Sequence, residues 1–288
     1  MTGDGVNDAA AIREADVGVA MGLSGSDVTR AAADVVLLDD HFATIVNAVE
    51  LGRATFANVR RFLTYHLTDN VAELAPFAAW ALTGGQLPLA IGVLQVLALD
   101  IGTDMLPALA LGAEPPSPGV MRRSAPTGAL IDARLLRRAL LVLGVTEAAW
   151  ALVTFVAVLT VSGWRWGAEP SSATLSVASG ATFAAIALGQ MANAFACRSE
   201  TVPVWRLALR GNRFVVGAVV AELLLLVAFL GLPPLARLLG GSAPPAIGWA
   251  FALGAVPLVI VADGVHKLMR RRGDDAGGRD RPASARAA

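Results

Sequence analysis

Two acidic residues lie inside a long apolar stretch of the sequence. Asp100 and Asp104, with Thr103 between them, occur in LALDIGTDMLPA (97–108). On an α-helix the spacing i, i+3, i+4 places all three side chains on one face. Carboxylates at bilayer depth cost about 2.5–3.5 kcal/mol each and are rare there without a function. Because Pro107 also removes a backbone hydrogen bond, the segment offers hard oxygen ligands for a metal cation or a proton. The alternative is a helix end at the membrane interface.

A second polar group occurs on the preceding apolar segment, at Asp69, Asn70 and Glu73. Glu73 and Asp100 lie at similar distances from the short turn at 84–88, so a helical hairpin would bring both groups to one depth. Oxygen ligands that converge from two proline-interrupted helices are a recurrent form of transport site. The alternative is two separate structural clusters, each satisfied by hydrogen bonds between helices.

Other polar residues occur singly or in pairs within apolar segments. Gln190 and Asn193, at i and i+3, could act as ligands or only hold helices together. Glu147 and Glu222 are lone carboxylates, for which we expect structural pairing, with a part in a proton or ion path as the alternative. Asp263 is close to the end of the last apolar segment, where we expect an interfacial or capping role.

Composition indicates a membrane protein. The chain has 288 residues, of which 55% are hydrophobic, and its mean hydropathy is +0.60, values too apolar for one soluble domain. The zero formal net charge gives no sign of nucleic-acid binding. The single cysteine, Cys197, excludes an intramolecular disulfide and a cysteine-rich metal site. The first residues lack the basic start and apolar core of a signal peptide.

The apolar segments predict a six-helix transmembrane bundle in a mainly α protein. The predicted spans are 62–83, 88–112, 135–162, 174–197, 213–232 and 247–267. Alternate loops are rich in arginine, whereas the others keep only Arg165 and Arg237. Because basic loops stay in the cytoplasm, we expect a multi-pass protein of the plasma membrane with both termini cytoplasmic. The predicted domains are a soluble piece (1–40), a stalk helix (41–61), a membrane domain (62–270) and a disordered tail (271–288).

The soluble piece reads as partial α/β structure. The apolar runs at 17–21 and 34–38 predict strands, and 26–33 predicts a helix between them, so part of a parallel sheet is expected. Forty residues cannot bury a core of their own. The motif TGDGVND (Thr2–Asp8) places Asp4 and Asp8 around a glycine-rich turn. Such a turn presents N–H groups to phosphate while a carboxylate holds Mg²⁺.

These motifs together resemble those of the P-type cation-transporting ATPases. TGDGVNDAAAIREADVGVAMG resembles the family's hinge motif, and VVLLDDHFATIVNAVELGRATFANVRRF resembles its stalk. LTDNVAELAPF and LDIGTDMLPALALG are similar to the ion-binding helices of the calcium and sodium–potassium pumps. The resemblance covers nearly the whole chain. It implies a fragment of the haloacid-dehalogenase-like phosphorylation domain, followed by the last six of ten membrane helices.

The resemblance also implies residue roles. Asp4 would hold the catalytic Mg²⁺, with Asp8 as a weaker ligand, and Thr2, Gly3 and Asn7 would complete the phosphate-site hinge. In the intact pump Mg²⁺ would act together with ATP. The transported cation would be bound by Asn70, Glu73, Asp100, Thr103 and Asp104, with Asp69 and Gln190 as further candidates.

Two departures from the family pattern modify these expectations. Asp69 stands where calcium and sodium–potassium pumps carry serine, so the site is more acidic, which favours a Ca²⁺-like divalent cation and leaves Na⁺, K⁺ and H⁺ open. The family's DKTGT and TGE motifs do not occur, and Lys267 is the only lysine. We therefore expect no ATPase activity from this chain without a catalytic head, supplied in cis or in trans. The alternative is a non-enzymatic cation-binding membrane subunit, or a remnant, that works only with a separate catalytic partner.

Overall fold

The computed structural model describes residues 1–122, 124, 128–208 and 211–279. The chain divides into two compact units. The first comprises Met1–Thr55 with Pro116–Pro126, and the second comprises Phe56–Pro115 with Thr127–Ala288.

The first unit contains a small parallel sheet with the order β1-β2-β3. Its elements are β1 (Thr2–Gly3), α1 (Ala9–Glu14), β2 (Val19–Met21), α2 (Asp27–Ala32) and β3 (Val35–Leu37). The predicted parallel pairing of the second and third strands is confirmed, since Val19 lies opposite Val35. The sequence did not predict β1 because two residues show no periodicity. Asp4 directly follows β1, at the end of the sheet where ligands of α/β folds bind.

Side-chain hydrogen bonds join α2 to the turn after β1. The Ser26 hydroxyl accepts a hydrogen bond from the Thr29 amide (3.2 Å) and so caps the helix. The Thr29 hydroxyl in turn donates to the Gly5 carbonyl (2.8 Å). The apolar core of this unit is small, with Ile12 and Ala20 fully buried.

Asp40 holds the loop after β2 through its carboxylate, which accepts hydrogen bonds from the amides of Gly22 (2.6 Å), Leu23 (3.0 Å) and Ser24 (2.7 Å). These bonds, that from Leu23 foremost, lower the pKa of Asp40 to about 2. The unfolded value is about 3.9, so this contribution to stability is complete above that pH and is lost as the pH falls through about 2. The residue has a φ of +52°, which aspartate and asparagine tolerate better than most residues do.

We predict that Asp40→Asn speeds hydrogen exchange at the Ser24 amide by several-fold, because an amide nitrogen replaces the oxygen that accepts this bond. Exchange measured by NMR on the full chain would test this prediction. Glu14→Gln, which removes an exposed charge from the same unit, is the control and should leave Ser24 unchanged. Equal exchange in the wild type and Asp40→Asn would show that the carboxylate does not hold the loop.

Helices make up most of the chain from residue 42 onward. They are α3 (Phe42–Leu82), α4 (Val93–Gly112), α5 (Ala133–Val161), α6 (Ser172–Cys197), α7 (Arg213–Gly231), α8 (Pro233–Leu239) and α9 (Ala246–Arg279). Among the described residues, α4, α5, α6, α7 and α9 are long and apolar enough to cross a membrane, α9 over Ala246–Arg272. The helix α3 contains the predicted first span but is not among these five. Asp69, Asn70 and Glu73 make the membrane-spanning part predicted in α3 less apolar than those five helices.

Several boundaries differ from the sequence prediction. The second span begins at Val93 rather than at 88. Pro88 lies in the connection, and the Gln95 side chain caps the later start by accepting a hydrogen bond from the Gly92 amide (2.8 Å). At the other end, α9 continues to Arg279, where the sequence predicted disorder from 271. Residues 280–288 of the predicted tail lie outside the described part.

The helix α6 forms the centre of the second unit and packs against α5, α7 and α9. It is buried almost without interruption from Ala178 to Ala194. Small residues dominate its sequence, and they let neighbouring helices approach closely. A Cβ atom on Gly180 would lie 1.9 Å from the Ser242 carbonyl oxygen, so glycine is required there by the close approach of the chain.

A buried ion-pair cluster connects α5, α6 and α9. The Arg138 guanidinium donates to the Asp263 carboxylate from Nε (3.1 Å) and Nη2 (2.8 Å), and Lys267 pairs with the same carboxylate. Nη2 of Arg138 and Nζ of Lys267 each donate to the Ala196 carbonyl near the end of α6 (2.9 Å in both cases). The three charged residues are at most 3% exposed. Asp263, for which an interfacial or capping role was expected, is thus a buried partner of two cations.

Candidate cation site

Three carboxylates converge between α3 and α4. One ligand oxygen each from Glu73, Asp100 and Asp104 lies within 4.8 Å of the other two. Glu73 and Asp104 are 2% and 1% exposed, whereas Asp100 is partly exposed. We refer to this group as the three-carboxylate site. Its members include the acids that sequence reasoning expected to meet across the hairpin.

The local backbone of α4 differs from a regular α-helix at this site. Residues Ala98–Asp104 form a π-helical segment, a rare widened turn that is frequent at functional sites. Pro107, just beyond it, has no N–H to donate to a carbonyl in the preceding turn. The side chains predicted to share one face consequently differ in environment, since Thr103 and Asp104 are buried and Asp100 is only partly so.

Gln190 and Tyr65 complete the surroundings of the site. The Gln190 amide Nε2 donates to Glu73 Oε1 (2.9 Å) and to Asp104 Oδ2 (3.4 Å), so α6 contacts both acids. The hydroxyl of Tyr65, the only tyrosine in the sequence, donates to Asp104 Oδ1 (3.5 Å). Sequence reasoning missed Tyr65. The sequence did offer one indication, since the hydroxyl group of Tyr65 lies one helical turn before Asp69 on the same face of α3.

Other predicted ligands make different contacts. The Thr103 hydroxyl donates to the Leu99 carbonyl (2.8 Å), and the Asn70 amide donates to the His66 carbonyl (2.9 Å). Asp69 accepts a hydrogen bond at Oδ1 from Asn193 Nδ2 (3.0 Å). Asp69 thus contacts Asn193, whereas Glu73 and Asp104 contact Gln190, which precedes Asn193 on α6.

Glu147 and Glu222 are also buried, at 2% and 0% exposure. Within the described part of the chain, none of their four carboxyl oxygens has a hydrogen-bond partner. Both lie close enough to Asp104 to interact with it electrostatically. The structural pairing expected for these two residues is therefore not found among the described residues.

The hinge motif lies in the first unit. The Asp8 carboxylate accepts hydrogen bonds from the amides of Asp4 (3.2 Å) and Gly5 (3.1 Å), so it stabilises its own turn. Asp4 follows Thr2 and Gly3 of β1 and is exposed, as is Asn7. An exposed carboxylate at the end of a parallel strand suits Mg²⁺ as one ligand, whereas Asp8 is already engaged.

The three-carboxylate site is suited to bind a cation. Like charges this close and this well buried cannot all stay ionised without compensation by a cation or by protons. Oxygens bind Ca²⁺ at about 2.3–2.6 Å, so two ligands of one ion can lie up to about 5 Å apart. The three oxygens lie within 4.8 Å of one another and are therefore close enough to bind one ion.

Comparison with known proteins identifies the family. The family model described as "Cation transporting ATPase, C-terminus" matches residues 88–269, which is more than half of the chain. The chain belongs to this family. It is thus related to the P-type cation ATPases and, with its several apolar helices, is a multi-pass membrane protein.

Individual cation ATPases are similar to this chain over most of its length. Sodium/potassium-transporting ATPase subunit alpha-2 of Homo sapiens and of Rattus norvegicus are each 32% identical over 302 residues, or 94% of this chain. Subunit alpha-4 of Homo sapiens is 32% identical over 307 residues, or 96% of the chain. The chain spans 29% of the length of each of these relatives.

Proposed function

We propose that the three-carboxylate site binds the cation that a P-type pump transports. The observation that carries this proposal is the convergence of three carboxylate oxygens within 4.8 Å, two of them from nearly inaccessible side chains. Gln190 orients Glu73 and Asp104, and Tyr65 supports Asp104. Thr103 and Asn70 would serve as ligands through their side-chain oxygens. Both side chains act as donors in the hydrogen bonds described above, so these oxygens can still bind a cation.

A Ca²⁺-like divalent cation suits this site best, because hard oxygen ligands and a high negative charge favour it. Asp69 adds a further carboxylate nearby, although its contact with Asn193 makes it a neighbour of the site rather than a direct ligand. The relatives are named as sodium/potassium-transporting, so Na⁺ and K⁺ are the competing ions to test, together with H⁺.

The pump architecture is part of the same proposal. Residues 62–82 of α3 would be a sixth span, entered from a stalk at 41–61, and residues 1–40 would belong to a haloacid-dehalogenase-like phosphorylation domain. Both termini would be cytoplasmic and the membrane would be the plasma membrane. With ATP and a catalytic head present, Asp4 would supply one ligand to Mg²⁺, which neutralises the phosphate charge in phosphoryl transfer.

A second candidate function keeps the same cation site without catalysis by this chain. The chain would then be a non-enzymatic cation-binding membrane subunit that works with a separate catalytic partner. The cation site is common to both candidates, so a cation-binding measurement on the chain tests the site under either one.

We predict that the full chain, purified into nanodiscs, binds ⁴⁵Ca²⁺ saturably and that equimolar Na⁺ does not displace it. The same preparation should form no acid-stable phosphoenzyme from labelled ATP, because no DKTGT aspartate is present. If the chain bound none of Ca²⁺, Na⁺ and Rb⁺, the proposed site would be overturned. Phosphoenzyme formation would show instead that this chain has its own catalytic aspartate.

A further inference from the structure

Glu147 of α5 has a buried carboxyl group without a partner. The residue is 2% exposed, and neither Oε1 nor Oε2 has a hydrogen-bond partner among the described residues. Burying an ionised carboxylate without a partner costs the full desolvation free energy of its charge. Burying the neutral acid costs much less. Burial without a partner therefore favours the neutral, protonated form of Glu147 in this arrangement of helices.

The carboxyl group occupies a space that α6 leaves open at Gly189. A Cβ atom on Gly189 would lie 2.5 Å from Oε1 and 2.8 Å from Cγ of Glu147. Any larger residue at this position would push the acid out of place. The contact therefore brings Glu147 against the residue that precedes Gln190, the α6 residue that contacts the three-carboxylate site.

Ionisable groups surround Glu147 on several helices. Those that interact with it electrostatically are Tyr65 and Asp69 of α3, Asp104 of α4, Cys197 of α6 and Glu222 of α7. On α9, Asp263, His266 and Lys267 are grouped around Arg138, which precedes Glu147 on α5 by roughly two and a half turns. The nearby carboxyl groups oppose a negative charge on Glu147.

The ligand that fits Glu147 is a proton rather than a metal ion. Metal binding needs several converging oxygens, and the carboxylates of the described residues that converge in this way are Glu73, Asp100 and Asp104. A proton needs one oxygen only. Because a cation at the three-carboxylate site would cancel the charge of Asp104, it would make ionisation of Glu147 easier.

We propose that Glu147 is an accessory proton site whose occupancy is coupled to the three-carboxylate site. The O–H bond of Glu147 breaks and its proton passes to water when a cation binds, and the carboxylate takes a proton back from water when the cation leaves. The inference rests on the cation site proposed above. It adds a residue of α5 to the groups that exchange ions during the cycle.

The test measures proton release and cation binding on the same nanodisc preparation of the full chain. A pH indicator in weakly buffered solution records protons released as ⁴⁵Ca²⁺ is added. We expect the wild type to release more protons per bound cation than Glu147→Gln, by up to about one proton, which is the most that one carboxyl supplies. Glu169→Gln, at an exposed position, is the matched control and should behave as the wild type.

Infrared spectroscopy detects the proton itself, without any requirement for cation binding. The C=O band of a protonated carboxylic acid should be present in the cation-free wild type and reduced in Glu147→Gln. Glu147→Asp, which keeps an acid, should retain it. Ca²⁺ should reduce the band in the wild type.

The two readouts separate failure of this inference from failure of the cation site. Unchanged proton release and an unchanged band in Glu147→Gln, with ⁴⁵Ca²⁺ still bound, would overturn the inference and leave the cation site standing. If the wild type bound none of Ca²⁺, Na⁺ and Rb⁺, the cation site and the coupling would be overturned together.

Discussion

Asp104→Asn is expected to lower the affinity of the full chain for Ca²⁺ by about 100-fold, since metal affinity depends steeply on the number of charged ligands. Asp104 is the most enclosed acid of the three-carboxylate site, at 1% exposure, and it is contacted by both Gln190 and Tyr65. Together with Glu73→Gln, the change should abolish binding, because one partly exposed carboxylate remains. Equilibrium binding of ⁴⁵Ca²⁺ in nanodiscs is the measurement.

Stability distinguishes loss of a ligand from loss of the fold in these variants. Removing one of several close like charges relieves repulsion, so without cation Asp104→Asn should be at least as stable as the wild type. Glu169→Gln, which removes an exposed carboxylate, should change neither affinity nor stability. Ca²⁺ binding that survives in the double variant Glu73→Gln, Asp104→Asn would exclude these residues as the site.

Asp263→Asn is expected to destabilise the membrane unit by about 3–5 kcal/mol, because the change leaves two buried cations without their counter-ion. Arg138 and Lys267 would keep their bonds to the Ala196 carbonyl, but backbone carbonyls carry no compensating charge. Unfolding of the full chain in detergent, followed by tryptophan fluorescence, measures the change.

A triple variant controls for this effect. Arg138→Met, Lys267→Met and Asp263→Asn together remove every charge of the buried ion-pair cluster and should be far less destabilising than Asp263→Asn alone, since apolar replacement of a buried ion pair is often neutral. Lys267→Met by itself should have an intermediate effect, because Arg138 and Asp263 stay paired. A loss below about 1 kcal/mol for Asp263→Asn would mean that water reaches the cluster.

Local features of the sequence were sufficient to predict most of the helices, the pairing of two strands and the main acids of the candidate site. Five of the six predicted spans match helices apolar enough to cross a membrane, because hydropathy depends only on neighbouring residues. The pairing of β2 with β3 followed from strand spacing. Glu73 and Asp104 could be predicted to lie together because a short turn connects their helices. Residues at similar distances from that turn lie at similar depth in the bundle.

Contacts between distant residues were decided only by the tertiary structure. Arg138 and Asp263 are 125 residues apart, and no periodicity indicates that one would neutralise the other. The rotation of α6 likewise determines that Asn193 contacts Asp69, that Gln190 contacts Glu73, and that Gly189 makes room for Glu147. A sequence specifies which residues share a face of one helix. The facing residue on another helix depends on packing of the whole bundle. In this protein that packing decides that Asp263 is paired with Arg138 and Lys267, whereas Glu147 has no hydrogen-bond partner among the described residues.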